Sequence, residues 1–180
     1  DGEALEVEIW RSRVRAIAPS REATSLLSKH LGRDVRLVYM PGDSQRPVDP
    51  QRGRPGDLVS FADAYPLLMI SEESLASLNE RLAEPLPMER FRPNVVVAGG
   101  DAHAEDALGA FRIGDVAFRN VKPCDRCTVT TVDPETGERG REPLKTLAEY
   151  RKWDGQVWFG TNLIHDGRGT LSVGDPITPL

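Results

Sequence analysis

A chain of 180 residues with 39% hydrophobic content suits one domain with a sizeable core. The 28% charged fraction and net charge of −5, with arginines scattered among acids, argue against a nucleic-acid partner. No apolar run approaches the roughly 18 residues of a membrane span, which argues against a membrane partner, and Asp1-Gly2-Glu3 opens without a signal-peptide pattern, as a fragment would.

Two cysteines make no disulfide framework, so a reducing cytoplasm is expected. Leu5 to Trp10 alternates apolar and polar residues and reads as a half-buried strand, which Arg11 to Ile17 continues or pairs back against. Ser20 is placed to N-cap a helix whose apolar positions are Ala23, Leu26, Leu27, His30 and Leu31, with Gly32 closing it. Val35 to Met40 reads as a strand. Pro41 to Gly56, with four prolines and three glycines, reads as a mobile loop that buries no core. Leu58 to Phe61 is strand-like, and Leu67 to Ile70 is a buried strand feeding a helix from Ser71 to about Leu82. Val95 to Ala98 reads as a fully buried strand ended by Gly99 and Gly100.

Ala104 to Ala107 reads as a short helical turn. Phe111–Ile113, Gly114-Asp115 and Val116–Phe118 form a hairpin pattern. Thr128 to Val132 is a β-branched run with strand propensity, followed by a turn at Asp133-Pro-Glu-Thr-Gly137. Pro143 at N1 opens a helix reaching about Lys152. Val157–Phe159 and Asn162–Ile164 are short strands around Gly160, and Thr170–Val173, Gly174-Asp175 and Ile177 repeat the Gly-Asp turn. Short strands with isolated helices give the expected fold class: mainly β with helical insertions, an α+β chain built on a β-barrel.

Both cysteines, Cys124 and Cys127, fall in one C-x-x-C. Structural zinc wants four ligands, and His30, His103 and His165 have no ligand spacing to the pair. A dithiol of the thioredoxin kind places its first thiol at a helix N-terminus, whereas a strand is expected after Cys127. Two inert buried thiols are the plain alternative, although Lys122, Asp125 and Arg126 make the loop polar. A single thiolate offered to a soft metal centre carried by a cofactor is the remaining reading.

Phe91-Arg-Pro-Asn94 before a valine run, Ile113-Gly-Asp-Val116, Cys124-x-Arg-Cys127 before Thr-Thr-Val-Asp-Pro-x-Thr-Gly137, Glu142-Pro-Leu144, Phe159-Gly160 and Val173-Gly-Asp-Pro176 occur in that order. Together they resemble the MOSC domain of bacterial YcbX-type proteins and of the mitochondrial amidoxime-reducing component, a domain that also ends eukaryotic molybdenum-cofactor sulfurases. The resemblance runs from about Trp10 to the end. It implies a MOSC-type β-barrel over residues 1–180 as a single domain, lacking an N-terminal subdomain found in the reductase branch, in the bacterial cytoplasm. It further implies a mononuclear molybdenum on molybdopterin, with Cys127 as both the protein ligand and the catalytic residue. Asp63, Ala64, Tyr65, Arg92, Asn94, Asp125, Arg126 and Asn162 fall at or beside cofactor-contacting positions, although relatives often carry Ser or Thr where Ala64 and Tyr65 stand. The implied activity is reduction of small N-hydroxylated or N-oxygenated substrates, with electrons from a separate donor protein of iron–sulfur, flavin or cytochrome type. The alternative is a non-catalytic carrier for sulfurated molybdenum cofactor.

Overall fold

The structure, a computed structural model, describes residues 2–180, which divide after Ala64 into two compact units. In the first, β1 (Glu3–Ile9) and β2 (Ser12–Ala18) pair antiparallel, so the chain turns back at Trp10-Arg11. Helix α1 (Arg21–Leu31) has the expected caps: Ser20 Oγ accepts from the Ala23 amide at 3.1 Å, and Gly32 is left-handed at φ 64°. Its apolar stripe, however, is not core, since no α1 residue is buried and Leu26 is 69% exposed.

Two expected strands of this unit reduce to single bridges. Val35 to Met40 makes one bridge, Tyr39 to Ile17, and Leu58 to Phe61 makes one, Leu58 to Pro47. Apolar β-branched runs need a partner edge to become ladders, and a propensity pattern does not supply one. The 41–56 stretch also departs from a core-free loop. Val48 and Val59 are buried, and the Arg46 side chain is buried among the backbone carbonyls of Ser60, Ala62 and Asp63.

The second unit is a seven-stranded sheet curled into a half-barrel, with the α+β character expected. Its strands are β3 (Leu67–Ser71), β4 (Val95–Val97), β5 (Ala110–Ile113), β6 (Val116–Asp125), β7 (Lys152–Trp153), β8 (Gln156–Asp166) and β9 (Ile177–Pro179). The order is β4-β3-β8-β6-β5-β9, with β7 on β8; β3 and β4 run parallel, and the other pairs are antiparallel. Helix α2 (Glu72–Asn79) is N-capped by Ser71 and ends earlier than expected, while α3 (Leu144–Tyr150) has Pro143 at its N-cap rather than N1.

Alternation in the strands separates two cores. Met69, Phe111, Ile113, Val116, Phe118 and Leu163 pack on one, and Ile70, Leu78, Phe91, Leu147 and Phe159 on the other. Three further corrections concern this unit. Val95–Val97 is an edge strand with Val96 46% exposed, not fully buried. The two strands expected around Gly160 are one continuous strand, because Gly160 at φ 73° absorbs a bulge instead of ending it. Thr170–Val173 is irregular, and only Ile177–Pro179 pairs.

Candidate functional site

The sheet register aligns several of the singled-out residues at one level. Leu68 of β3 sits opposite Asn162 of β8, which in turn sits opposite Lys122 of β6. Asn94 joins this row just before β4: its amide donates to Leu68 O at 2.8 Å, and its Oδ1 accepts from Leu68 N at 2.8 Å. One side of the Asn94 carboxamide is therefore committed to extending the sheet, and its Nδ2 hydrogens are left to donate elsewhere.

The β6–β8 ladder shifts register between Asn120 and Lys122, and again between Pro123 and Asp125. Bulges re-aim side chains and end pairing, and here they deliver the cysteine loop from the end of β6. Cys124 is still in the strand and half-buried, while Cys127 lies beyond it and is exposed. Arg126 Nη1 donates to Cys124 Sγ at 3.2 Å. Burial pushes the Cys124 thiol above its ordinary pKa, against the opposing pull of Arg126 and the Asn162 amide. A protonated thiol is a poor ligand and a poor nucleophile, and Cys124 is biased toward that form.

Thr128 to Thr131 is a 3₁₀ turn, not the expected strand. Thr130 Oγ1 donates back to Cys127 O at 3.0 Å and Thr131 Oγ1 to Thr128 O at 2.8 Å, so these threonines satisfy turn carbonyls locally. The strand next to the cysteines therefore precedes them. A four-residue turn has no appreciable macrodipole to activate a thiol, so the dithiol reading gains nothing from the change.

Two arginines fasten this loop to the stretch around Arg92. Arg126 Nη2 donates to Phe91 O at 2.8 Å, and Arg90 Nη2 reaches Asp133 Oδ2 at 3.2 Å. Asp133 is itself the hub of the expected turn: its Oδ1 accepts from the Glu135 and Thr136 amides, each at 2.9 Å, and those bonds hold its carboxyl below the usual range. Arg92 follows a 3₁₀ turn, Met88–Phe91, in the left-handed region at φ 56°, and its exposed guanidinium has no partner among the described residues. Asp125 pairs with Lys122 at 2.9 Å, and the Lys122 ammonium also lies over the Trp158 ring. Asn162 Nδ2 faces Lys122 O and Pro123 O at the long distances of 3.5 and 3.4 Å.

Arg92, Asn94, Asp125, Arg126, Cys127 and Asn162 thus share one network of strands and clamps in the second unit. Within it Arg126 points inward, which separates it from Arg92. Tyr65 opens the same unit, whereas Asp63 and Ala64 close the first. There Asp63 Oδ1 accepts from Trp10 Nε1 at 3.4 Å, and Ala64 is exposed. A groove of about 780 Å³ runs beside β4 and residues 171–177; Asn94 lines it, but Cys127 does not.

Sequence reasoning missed the buried carboxylate of Glu105. It accepts from Ser71 N at 3.2 Å, Ser71 Oγ at 3.0 Å and Ser74 Oγ at 2.7 Å. Asn120 Nδ2 donates to Glu105 O at 2.9 Å, its Oδ1 accepts from Thr161 Oγ1, and Thr161 also bonds Lys122 O. The network therefore ends at the backbone that leads into the cysteine loop. Only the Ser71 N-cap was a usable signal for it.

His103 packs beside this network, against Tyr150 and Phe159, with both ring nitrogens buried and unpartnered among the described residues. Burial, then Arg151, lower its pKa; Glu105 and Asp106 oppose the shift, and Arg81 adds weakly to it. The unfolded chain therefore takes a proton near pH 6.5 that folded His103 refuses. Stability is expected to be complete above that pH and to fall as pH drops below it, toward the folded pKa. Chemical denaturation at pH 7 and pH 5.5 should show this loss, and it should shrink in His103→Asn, which tolerates the left-handed φ of 66°.

Among the described residues no group of His, Cys, Asp and Glu could hold a metal ion by itself, and no helix is long and apolar enough to cross a membrane. The family model described as MOSC domain matches residues 57–178. The chain is 43% identical over 133 residues to mitochondrial amidoxime-reducing component 1 of Homo sapiens, covering 69% of this chain and 40% of that protein. Component 1 of Xenopus laevis is 35% identical over 188 residues, covering 96% and 55%. Component 2 of Rattus norvegicus is 44% identical over 128 residues, covering 66% and 38%. The chain spans about half, or less, of the length of these relatives.

Proposed function

The chain belongs to the MOSC domain family, and from that premise we propose that residues 1–180 form the molybdenum-cofactor-binding part of a reductase of N-hydroxylated or N-oxygenated compounds. The observation that carries this reading is the unequal exposure of the two sulfurs: Cys127 is exposed, while Cys124 is half-buried at the strand end, where burial pushes its thiol up. A lone accessible sulfur suits a soft metal that brings its other ligands with it. The donor set around it fits the molybdenum–molybdopterin group. Arg92 offers an unpaired guanidinium suited to phosphate oxygens, and Asn94 offers its Nδ2 hydrogens.

When bound, the cofactor would supply a redox-active metal centre, and two electrons with two protons would take the N-hydroxylated compound to the amine and water. The chain's own residues do the rest. Cys127 holds the metal and tunes it through its thiolate. Arg126 positions the loop through Phe91 O and Cys124 Sγ. Lys122 neutralises Asp125 beside the thiolate, which lowers the cost of seating an anionic group there. Asn162 braces the strand end from which the loop departs. Asp63, Ala64 and Tyr65 stay in the proposal as a cofactor-facing stretch. Electrons would come from a separate donor protein of iron–sulfur, flavin or cytochrome type. The bacterial cytoplasmic setting rests on the YcbX-type resemblance alone, since the relatives reported above carry mitochondrial names.

The test is turnover. Protein made in a host that synthesises the cofactor should oxidise reduced viologen and convert an aromatic amidoxime to the amidine, one substrate for each electron pair. Molybdenum and pterin at full occupancy without turnover would overturn the reductase reading in favour of a cofactor carrier. Neither metal nor pterin would overturn both.

A further inference from the structure

The stretch that this family reading assigns to the cofactor, Asp63-Ala64-Tyr65, has an unusual chemistry for that task. Ala64 has no hydrogen-bonding side chain, and the Asp63 carboxylate would repel an anionic pterin and already accepts from Trp10 Nε1. Apart from the Tyr65 hydroxyl, any attraction the stretch offers an anion comes from its backbone N–H groups. Among the described residues, the amides of Asp63 and Ala64 donate to nothing. The carbonyls of Ser60, Ala62 and Asp63 are held by one side chain. Arg46, only 5% exposed, donates from Nη1 to Ser60 O at 2.9 Å and to Ala62 O, and from Nη2 to Asp63 O at 2.7 Å. Backbone bonds from Val59 N to Arg46 O and from Val48 N to Asp57 O, at 2.9 and 3.0 Å, fix the base of this clamp.

We propose that Arg46 is a positioning residue: its guanidinium gathers the carbonyls of Ser60, Ala62 and Asp63 so that the amides of Asp63 and Ala64 are left free to receive an anion. Three observations fit together here. A buried arginine needs acceptors for its fork of donors, and with no carboxylate among the acceptors named for it, backbone carbonyls supply them. A segment without regular secondary structure holds a fixed shape only where its polar groups are bonded, and these carbonyls are bonded by one side chain. The exposed amides that result give the segment a positive end without a charged side chain, the arrangement that binds anions elsewhere. The inference rests on the proposed function for the identity of the anion, but not for the clamp itself.

The experiment therefore has two readouts on wild type, Arg46→Met and Arg46→Lys, each prepared in one host that makes the cofactor and in another that does not. The first uses cofactor-free protein and measures chymotrypsin cutting after Phe61. Arg46→Met should be cut there about ten-fold faster, with cutting elsewhere unchanged, and Arg46→Lys should fall between. The second measures molybdenum and pterin retained per chain after gel filtration. Arg46→Met should retain about ten-fold less than wild type, with Arg46→Lys intermediate. Unchanged cutting at residue 61 overturns the clamp, and so does faster cutting at every site, which marks global unfolding. Faster local cutting with wild-type cofactor retention overturns the anion-facing role. A wild-type chain that retains no cofactor overturns that role together with the proposed function, while the cutting pattern still decides the clamp.

Discussion

Cys127→Ala is expected to lose molybdenum and amidoxime reduction together, while Cys124→Ala keeps both. The difference follows from where the bulged end of β6 leaves the two sulfurs. Cys124 remains in the strand, half-buried and bonded by Arg126, so its removal costs Arg126 that contact and leaves it its bond to Phe91 O. Loss of a group that only supports a metal ligand typically costs about 10–100-fold in affinity or activity, and Cys124→Ala should fall at or below the lower end. Cys127 is the exposed sulfur beyond the last pairing of β6 and β8. If it is the ligand, removing it should exceed about 100-fold and leave no turnover above background. Metal analysis and viologen assays on the two variants, side by side, check this. Equal losses would mean that the thiols act as a pair.

Gly160→Ala should be the most destabilising single methyl addition in the sheet. The residue sits where β8 bulges, at φ 73°, and a Cβ there would lie 2.5 Å from Ile70 Cγ1 and 2.8 Å from Met69 O. Met69 O is backbone of the neighbouring β3, so the clash is not relieved by a rotamer change. A side chain at positive φ costs about 1–2 kcal/mol, and overpacking about 1–3 kcal/mol more. A total near 3 kcal/mol would lower Tm by roughly 6–12 °C in a chain of this size. It would also displace Thr161 and Asn162, which join β8 to β6 beside the cysteine loop. A melting temperature within about 2 °C of wild type would show that β3 and β8 part easily there, contrary to the buried packing of Met69 and Ile70.

Much of this architecture is legible in the chain because its signals are local. Ser20 and Gly32 bracket α1, Ser71 starts α2, and Gly114-Asp115 turns the β5–β6 hairpin, each through one residue's own conformational preference. The failures share a cause as well. Val35–Met40 and Leu58–Phe61 have strand propensity, but the fold gives each only one bridging partner. Thr128–Val132 has the same propensity, and its threonines bond their own turn instead. Gly160 reads as a strand break in sequence, whereas in three dimensions it lets one strand continue through a bulge. The α1 stripe reads as core, although burial depends on what lies opposite it.

The candidate site divides in the same way. Cys127, Arg92 and Asn94 are proposed from family order, and the structure leaves Cys127 and Arg92 exposed, the Arg92 guanidinium without a partner among the described residues. Arg126 and Asn94 show what one-dimensional reading does not separate, since the direction of a guanidinium or a carboxamide is set by tertiary partners such as Phe91 O and Leu68. Arg46 and Glu105 carried no motif. Their roles come from carbonyls and hydroxyls brought to them by distant stretches of chain.

The central claim is that one protein sulfur, that of Cys127, binds the metal. X-ray absorption at the molybdenum edge tests it most directly, on loaded wild type, Cys127→Ser and Cys124→Ser. One protein thiolate in addition to the pterin's dithiolene pair is predicted for wild type and for Cys124→Ser, and none for any metal left in Cys127→Ser. A thiolate that persists in Cys127→Ser, or disappears in Cys124→Ser, would contradict the account.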